Sequence, residues 1–345
     1  MHRLRWAAFA VVCLLIGATP AAAEAPADIV NQPVSFVVQN VNKTSVPCGG
    51  DSKTYTVRGH LTGPASALGG GGTTAGTLYL HGLELGEWFW QLPVDGFNHA
   101  EELATRGHVS VTIDRLGYGS SDHPSGHKSC VGTHATIAHQ IVQQLRAGSY
   151  GGELRPRFER VALAGHSLGG AIAQVEAYSF GDVDAVAMLS YADAALSLSA
   201  VLTSTSWGPA CTLGGKPSAK GAPGYSFFTR DQADYRKNFL ARAPADVLPF
   251  ADTGRSLNPC GDLLSAVPAA VVSGISVNRI KVPVLLMMGD KDLVFDYTRL
   301  PLQKPLYGGP TTTRVLKGAT HGLTVDADAA EFRGALEEWL VSQDL

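Results

Sequence analysis

The chain has 345 residues, 45% hydrophobic and 17% charged, which is enough apolar material for a substantial core and too much for a disordered chain. Lysine and arginine total 27 against 30 acidic residues, a formal charge of -3, and no long basic run follows the first few residues. The composition therefore gives no footing for nucleic acid or for an anionic membrane surface, and one large domain with an insertion is the leading expectation.

Arg3 and Arg5 precede the apolar stretch WAAFAVVCLLIGA, and TPAAAEA follows with small residues that fit an A-x-A cleavage site. Residues 1–23 read as a secretory signal peptide, with cleavage after Ala23 or Ala25. The rival, a membrane anchor, needs about 20 apolar residues, and this run is shorter. Secretion to an oxidising compartment leaves Cys48, Cys130, Cys211 and Cys260, an even set from which two disulfides are expected. Four cysteines allow three connectivities and the sequence does not choose among them; the working pairing is Cys48 with Cys130 and Cys211 with Cys260. A zinc site is the rival, but no CxxC or Cys/His pair has suitable spacing.

VSFVVQNV and KTYTVRGHL follow as opening strands, an antiparallel entry to a sheet, and GPASALGGGGTTAG reads as a Gly-rich surface loop without the P-loop pattern. Then TLYLHG, HVSVTIDR, RVALAGHS, AVAMLSYAD, VPVLLMMGDKD and TTTRVLKGATHG each read as a buried strand ending in a polar loop. THATIAHQIVQQLRAG carries Ile137, Ile141, Val142 and Leu145 at helical spacing. This alternation is the pattern of an α/β protein with a mostly parallel sheet flanked by helices. Residues 196–280, rich in Ser, Pro and Gly, interrupt it and read as an inserted cap or lid, between core segments 24–195 and 281–345.

Gly165, Ser167 and Gly169 form G-x-S-x-G where the apolar run VALAG meets the helix-forming LGGAIAQVEAYSF. A strand-to-helix junction of this kind holds serine in a strained turn whose flanking chain must approach closely, which glycine permits. The bland alternative is an ordinary glycine-rich turn. A serine hydroxyl needs a base, and the base an orienting acid. His321 lies just beyond the last strand, and Asp290 and Asp292 lie just after the strand before it. The chain order Ser, Asp, His is that of a nucleophile elbow with its partners.

Together LYLHG, DRLGYGSSD, GHSLGG, GDKD and GATHG make the mature chain resemble the α/β-hydrolase family over nearly its whole length. The resemblance implies the α/β-hydrolase fold. In relatives the acid sits three residues after the glycine ending its strand, which from Gly289 gives Asp292, with Asp290 as a turn-stabilising neighbour. It also implies backbone N–H donors for an oxyanion from Leu168 and, beside His81 and Gly82, from Leu83, with His81 itself a structural hydrogen-bonder. Asp114 matches the position that stabilises the loop after its strand. Trp88 in EWFW is read either as a wall of the acyl site or as core packing.

The implied activity is that of a secreted serine hydrolase, an esterase or lipase cleaving small-molecule or lipid esters with apolar acyl groups through an acyl-enzyme on Ser167. Aminopeptidase-like and thioesterase chemistry share that intermediate, and a catalytically silent binding protein of the same fold is the non-enzymatic alternative. No cofactor is implied. His123, His127, His134 and His139 cluster in sequence, but His134 and His139 are five apart, off the i, i+4 face a helical metal pair uses, so no metal site is expected. Neither nucleic acid nor a membrane span after signal removal is expected, and the oligomeric state stays open.

Overall fold

The structure, a computed structural model, describes residues 28–69 and 72–345, so the expected signal peptide lies outside the described residues. In chain order the elements are β1 (Ile29–Gln39), β2 (Thr54–Pro64), α1 (Ala65–Leu68), β3 (Thr73–Leu80), α2 (His99–Ala104), β4 (Ser110–Asp114) and α3 (Val131–Ala147). Next come β5 (Arg157–His166), α4 (Leu168–Phe180), β6 (Ala185–Leu189), α5 (Leu198–Thr212), β7 (Tyr225–Ser226), α6 (Gln232–Phe239) and α7 (Leu248–Thr253). The last are β8 (Asn258–Pro259), α8 (Cys260–Gly274), β9 (Val284–Gly289), α9 (Leu300–Gln303), β10 (Thr311–Leu316) and α10 (Ala329–Val341).

Eight strands form one sheet in the order β1-β2-β4-β3-β5-β6-β9-β10. The β1–β2 and β2–β4 pairs are antiparallel and all others parallel, as the opening hairpin and the later strand–helix alternation predict. Side chains alternate across the strands, so both faces must be covered. Val161 and Leu163 of β5, with Leu286 and Met288 of β9, join the core under α3, α4 and α8. Ala162 and Ala164, with Leu285 and Met287, join the core under α2, α6 and α10.

The Gly-rich stretch is less of a loop than its composition suggests. β2 pairs with β1 as far as Pro64, one helical turn follows, and β3 begins at Thr73. Gly63 and Gly76 lie inside strands, where a Cβ would stand 2.9 Å from the Val109 side chain and 2.6 Å from the Phe158 ring. Crowding by those neighbours explains the glycines at the two ends of the stretch.

Between the parallel neighbours β6 and β9 the chain leaves the sheet and forms α5 to α8, with a two-residue β7–β8 ladder. Helix α8 packs on α3 and α4 of the sheet's helical layer. Cys48 is bonded to Cys130, which caps the N-terminus of α3, and Cys211 near the end of α5 is bonded to Cys260, the first residue of α8. Each bond closes a long loop, of 82 and 49 residues. Replacing Cys48 and Cys130 together by serine is therefore expected to cost about 2–4 kcal/mol. Thermal or urea unfolding measures the loss, and an unchanged midpoint would contradict it.

Candidate active site

Strand β5 ends at His166 and α4 begins at Leu168, so Ser167 alone makes the turn between them. Its backbone lies at φ 53°, ψ -122°, a conformation that side-chain-bearing residues rarely adopt and that surrounding contacts must hold. Its N–H donates to Leu189 O on the neighbouring strand β6 at 2.8 Å. The glycines permit the rest: a Cβ on Gly165 would stand 2.0 Å from Gly169 O, and one on Gly169 would stand 2.2 Å from Leu80 O. Strand, turn and helix are thus in backbone contact, and the loop after β3 presses on the turn as well. A Cβ on Gly82 would meet that of Ser167 at 2.8 Å.

His321, in the loop after β10, is buried. Its Nδ1 lies 2.8 Å from Asp292 Oδ2, and both side chains are closed to solvent. The other Asp292 oxygen accepts from the N–H groups of Val294 and Phe295 at 2.8 and 3.0 Å, which orients the carboxylate toward the ring. Asp290 instead accepts from Gly318 N at 2.6 Å and braces the turn after β10. The His321 ring lies near three others: Phe295, near-parallel at 5.8 Å, Phe239, edge-on at 5.0 Å, and His166 at 4.8 Å. Its Nε2 is buried without a hydrogen-bond partner, so no bond joins it to Ser167. Serine–histidine bonds of this kind often form only once substrate is bound.

Ser167 opens onto a cavity of about 550 Å3 whose walls include Leu83, Leu168, Tyr191, Trp207, Phe239 and Phe295. Phe239 and Phe295, which pack on His321, therefore also line the space in front of Ser167. The backbone N–H groups of Leu83 and Leu168 have no acceptor among the described residues. The Leu168 N–H belongs to the first turn of α4, where helix geometry leaves donors free and the dipole favours negative charge. Asp193, the one carboxylate on the cavity wall, is committed to Tyr191 Oη, Gln174 Nε2 and Gln303 Nε2 at 2.6, 2.8 and 3.0 Å.

Trp88 does not wall this cavity. The 3-10 turn Glu87–Phe89 carries it to a polar cleft elsewhere, where Nε1 donates to Gly254 O at 2.9 Å. Asp114 has the bracing role expected of it: Oδ1 accepts from Glu87 N and Oδ2 from Ser120 N, at 2.8 and 2.7 Å.

Several residues around the site carry no local signature in the sequence. His166 Nε2 donates to His321 O at 2.7 Å and so holds the backbone of that loop; burial and the adjacent His321 keep its pKa well below the usual range, so the ring is neutral. Arg115 grips the 81–82 carbonyls, its Nε to His81 O at 2.9 Å and an Nη to Gly82 O at 3.3 Å, and pairs with Asp262 at 2.9 Å. The Arg115 N–H donates to His81 Nε2, which leaves Nδ1–H of His81 to donate to Gly82 O. Burial and the Arg115 charge keep His81 neutral.

Two residues beyond Gly82, at Glu84, the backbone takes φ 58° and the buried carboxylate pairs with Arg255 at 3.1 Å and accepts from Thr229 Oγ1 at 2.6 Å. Burial nevertheless raises its pKa to about 7. Asp262 is also fully buried, but His134 and Arg115 outweigh that and lower its pKa to about 2. Asp262 and Arg255 both belong to the segment between β6 and β9. That segment therefore supplies a counter-charge on each side of the loop 81–84.

The sequence profile described as the Alpha/beta hydrolase family matches residues 77–335. No curated protein matches the chain by sequence. Among solved structures, the monoacylglycerol lipase of Paleococcus ferrophilus is 22% identical, with TM-score 0.57 over 79% of this chain and 96% of that one. A thermophilic esterase from Thermogutta terrifontis is 16% identical, with TM-score 0.60 over 89% and 99%. A membrane phospholipase A, described as a bacterial virulence factor, is 19% identical, with TM-score 0.56 over 90% and 86%. At these identities the likeness is one of fold.

Arg115→Met would leave Asp262 buried beside only neutral donors and His134. A loss of about 3–5 kcal/mol in unfolding free energy is expected, with much of it regained when Asp262→Leu is added. Urea denaturation of the single and double variants checks both halves.

Proposed function

Because the chain belongs to the α/β-hydrolase family, we propose that it is a serine hydrolase of carboxylic esters with apolar acyl groups, acting through an acyl-enzyme on Ser167. The observation that carries this reading is the strained Ser167 at an apolar cavity, with the buried His321–Asp292 pair against the same walls.

His321 Nε2 takes the hydroxyl proton as Ser167 Oγ attacks the ester carbonyl, and Asp292 holds Nδ1–H and stabilises the imidazolium. The N–H groups of Leu83 and Leu168 receive the charge that develops on the carbonyl oxygen. Collapse expels the alcohol, which takes the proton from His321. Water, deprotonated by the same nitrogen, then attacks the acyl-enzyme; Ser167 Oγ leaves with that proton and the free acid departs.

Residues 196–280 act as the cap over this site. Helix α8 supports an apolar substrate on two counts. Val267 and Val271 line the cavity while 62% and 69% exposed, and Leu264 and Ile275, at helical spacing on either side of them, are exposed as well. The one charged residue of α8, Asp262, is buried and paired. Such an apolar face favours esters presented at a lipid surface. An aminopeptidase needs a group to hold a substrate ammonium, and Asp193 already has three donors. Thioesters pass through the same acyl-enzyme and are separated from oxygen esters only by assay. The two disulfides support passage through an oxidising compartment.

Ser167→Ala and His321→Ala, each checked for a native unfolding midpoint, are expected to lower kcat on a short p-nitrophenyl ester by on the order of 10^4-fold or more. A fluorophosphonate probe should label Ser167 in the wild type. Full activity in both variants, or no adduct, would leave a binding protein as the better reading. Leu264→Lys with Ile275→Lys is expected to slow hydrolysis of emulsified long-chain esters several-fold while turnover of the short soluble ester is unchanged. Equal rates on both substrate forms would remove the lipid-surface part of the reading.

A further inference from the structure

Away from this site, α3 and the end of α4 bring together a histidine and two carboxylates whose oxygens are incompletely matched. Glu176, in the last turns of α4, is fully buried, and neither carboxylate oxygen has a hydrogen-bond donor. Asp182, just beyond the helix, accepts from His139 Nδ1 at 2.8 Å and from Gln143 through Oδ2, while its Oδ1 is buried without a partner. One ligand atom from each of His139, Glu176 and Asp182 lies within 4.8 Å of the other two.

We propose that His139, Glu176 and Asp182 form a divalent-cation site of the zinc class that ties α3 to the C-terminal end of α4. A buried carboxylate without a donor is costly, and two facing carboxylates are relieved either by one shared proton or by a cation. Three atoms so spaced have a point within about 2.8 Å of all of them, so shifts below about 0.8 Å reach zinc bond lengths of about 2.0–2.2 Å. One imidazole nitrogen with two carboxylate oxygens suits zinc, and solvent oxygen completes the tetrahedron.

Two further features favour a cation here. The C-terminal end of α4, capped by Gly181, is the negative end of the helix dipole. Arg146, the nearby guanidinium, is occupied with Asp184 and the carbonyls of Asp182 and Glu159. The His139 ring is held by stacking on Phe180, with centroids 4.1 Å apart and planes 11° from parallel. His139 and Asp182 remain 27% and 17% exposed, which gives the ion a way in. Burial and the adjacent Asp182 raise the Glu176 pKa, so the ion displaces a proton as it binds.

The test uses the full chain, stripped with EDTA and dialysed, titrated with zinc chloride by calorimetry and followed by thermal unfolding. One ion per chain and a Tm rise of about 5 °C at saturating zinc are expected. Glu176→Gln and His139→Ala should each abolish both effects. Should Glu176→Gln lower the midpoint before zinc is added, the partly exposed His139→Ala carries the comparison. Absence of stoichiometric binding, or binding that survives His139→Ala, would overturn the site and leave the shared proton as the resolution of the pair.

Discussion

The geometry around Ser167 rests on backbone touching backbone. With φ at 53°, the turn between β5 and α4 requires the strand, the helix start and the end of β3 to lie closer than any Cβ would allow, at Gly165 and Gly169 in particular. The contact does two things at once. It lifts one hydroxyl out of a buried sheet, and it sets the first N–H of α4 and the loop after β3 beside that hydroxyl. The large apolar cores on the two sheet faces hold these pieces in place, as strain of this kind requires.

Around that centre the segment between β6 and β9 contributes to the core. Its Asp262 and Arg255 answer Arg115 and Glu84, and its Asn258 accepts from the Glu84 N–H at 2.6 Å. Buried ion pairs of this kind contribute little net stability against apolar replacements but tolerate only one arrangement of their partners. Here that arrangement fixes the carbonyls of residues 81 and 82, and through them the direction of the next N–H. The loop 81–84 and the segment after β6 form one polar unit although the chain between them passes through three strands of the sheet.

The positions legible from the sequence are those announced by a local pattern. Ser167 follows an apolar run and precedes a helical one, and Asp292 and His321 follow strands that read as continuous apolar or β-branched stretches. The sheet, the opening hairpin and the interruption after β6 were legible for the same reason. What stayed hidden depends on long-range pairing: Arg115 and Asp262 are 147 residues apart, and Arg255 and Glu84 are 171 apart. Trp88 shows another limit, because composition reveals an aromatic cluster but not which way a 3-10 turn faces it. The glycines at 63 and 76 read as the ends of a surface loop, whereas close neighbours inside strands make them a matter of space.

Helix α5 shows what the connections of the inserted segment mean for access. Before its first turn, Ser197 N donates to Val294 O at 2.9 Å and its hydroxyl to Leu293 O at 2.7 Å; near its other end Cys211 is bonded to α8. The helix is thus a span resting on two abutments rather than a door on one hinge. A swing of α5 alone would have to break the Ser197 contacts at one end while the Cys211–Cys260 bond keeps the other end tied to α8.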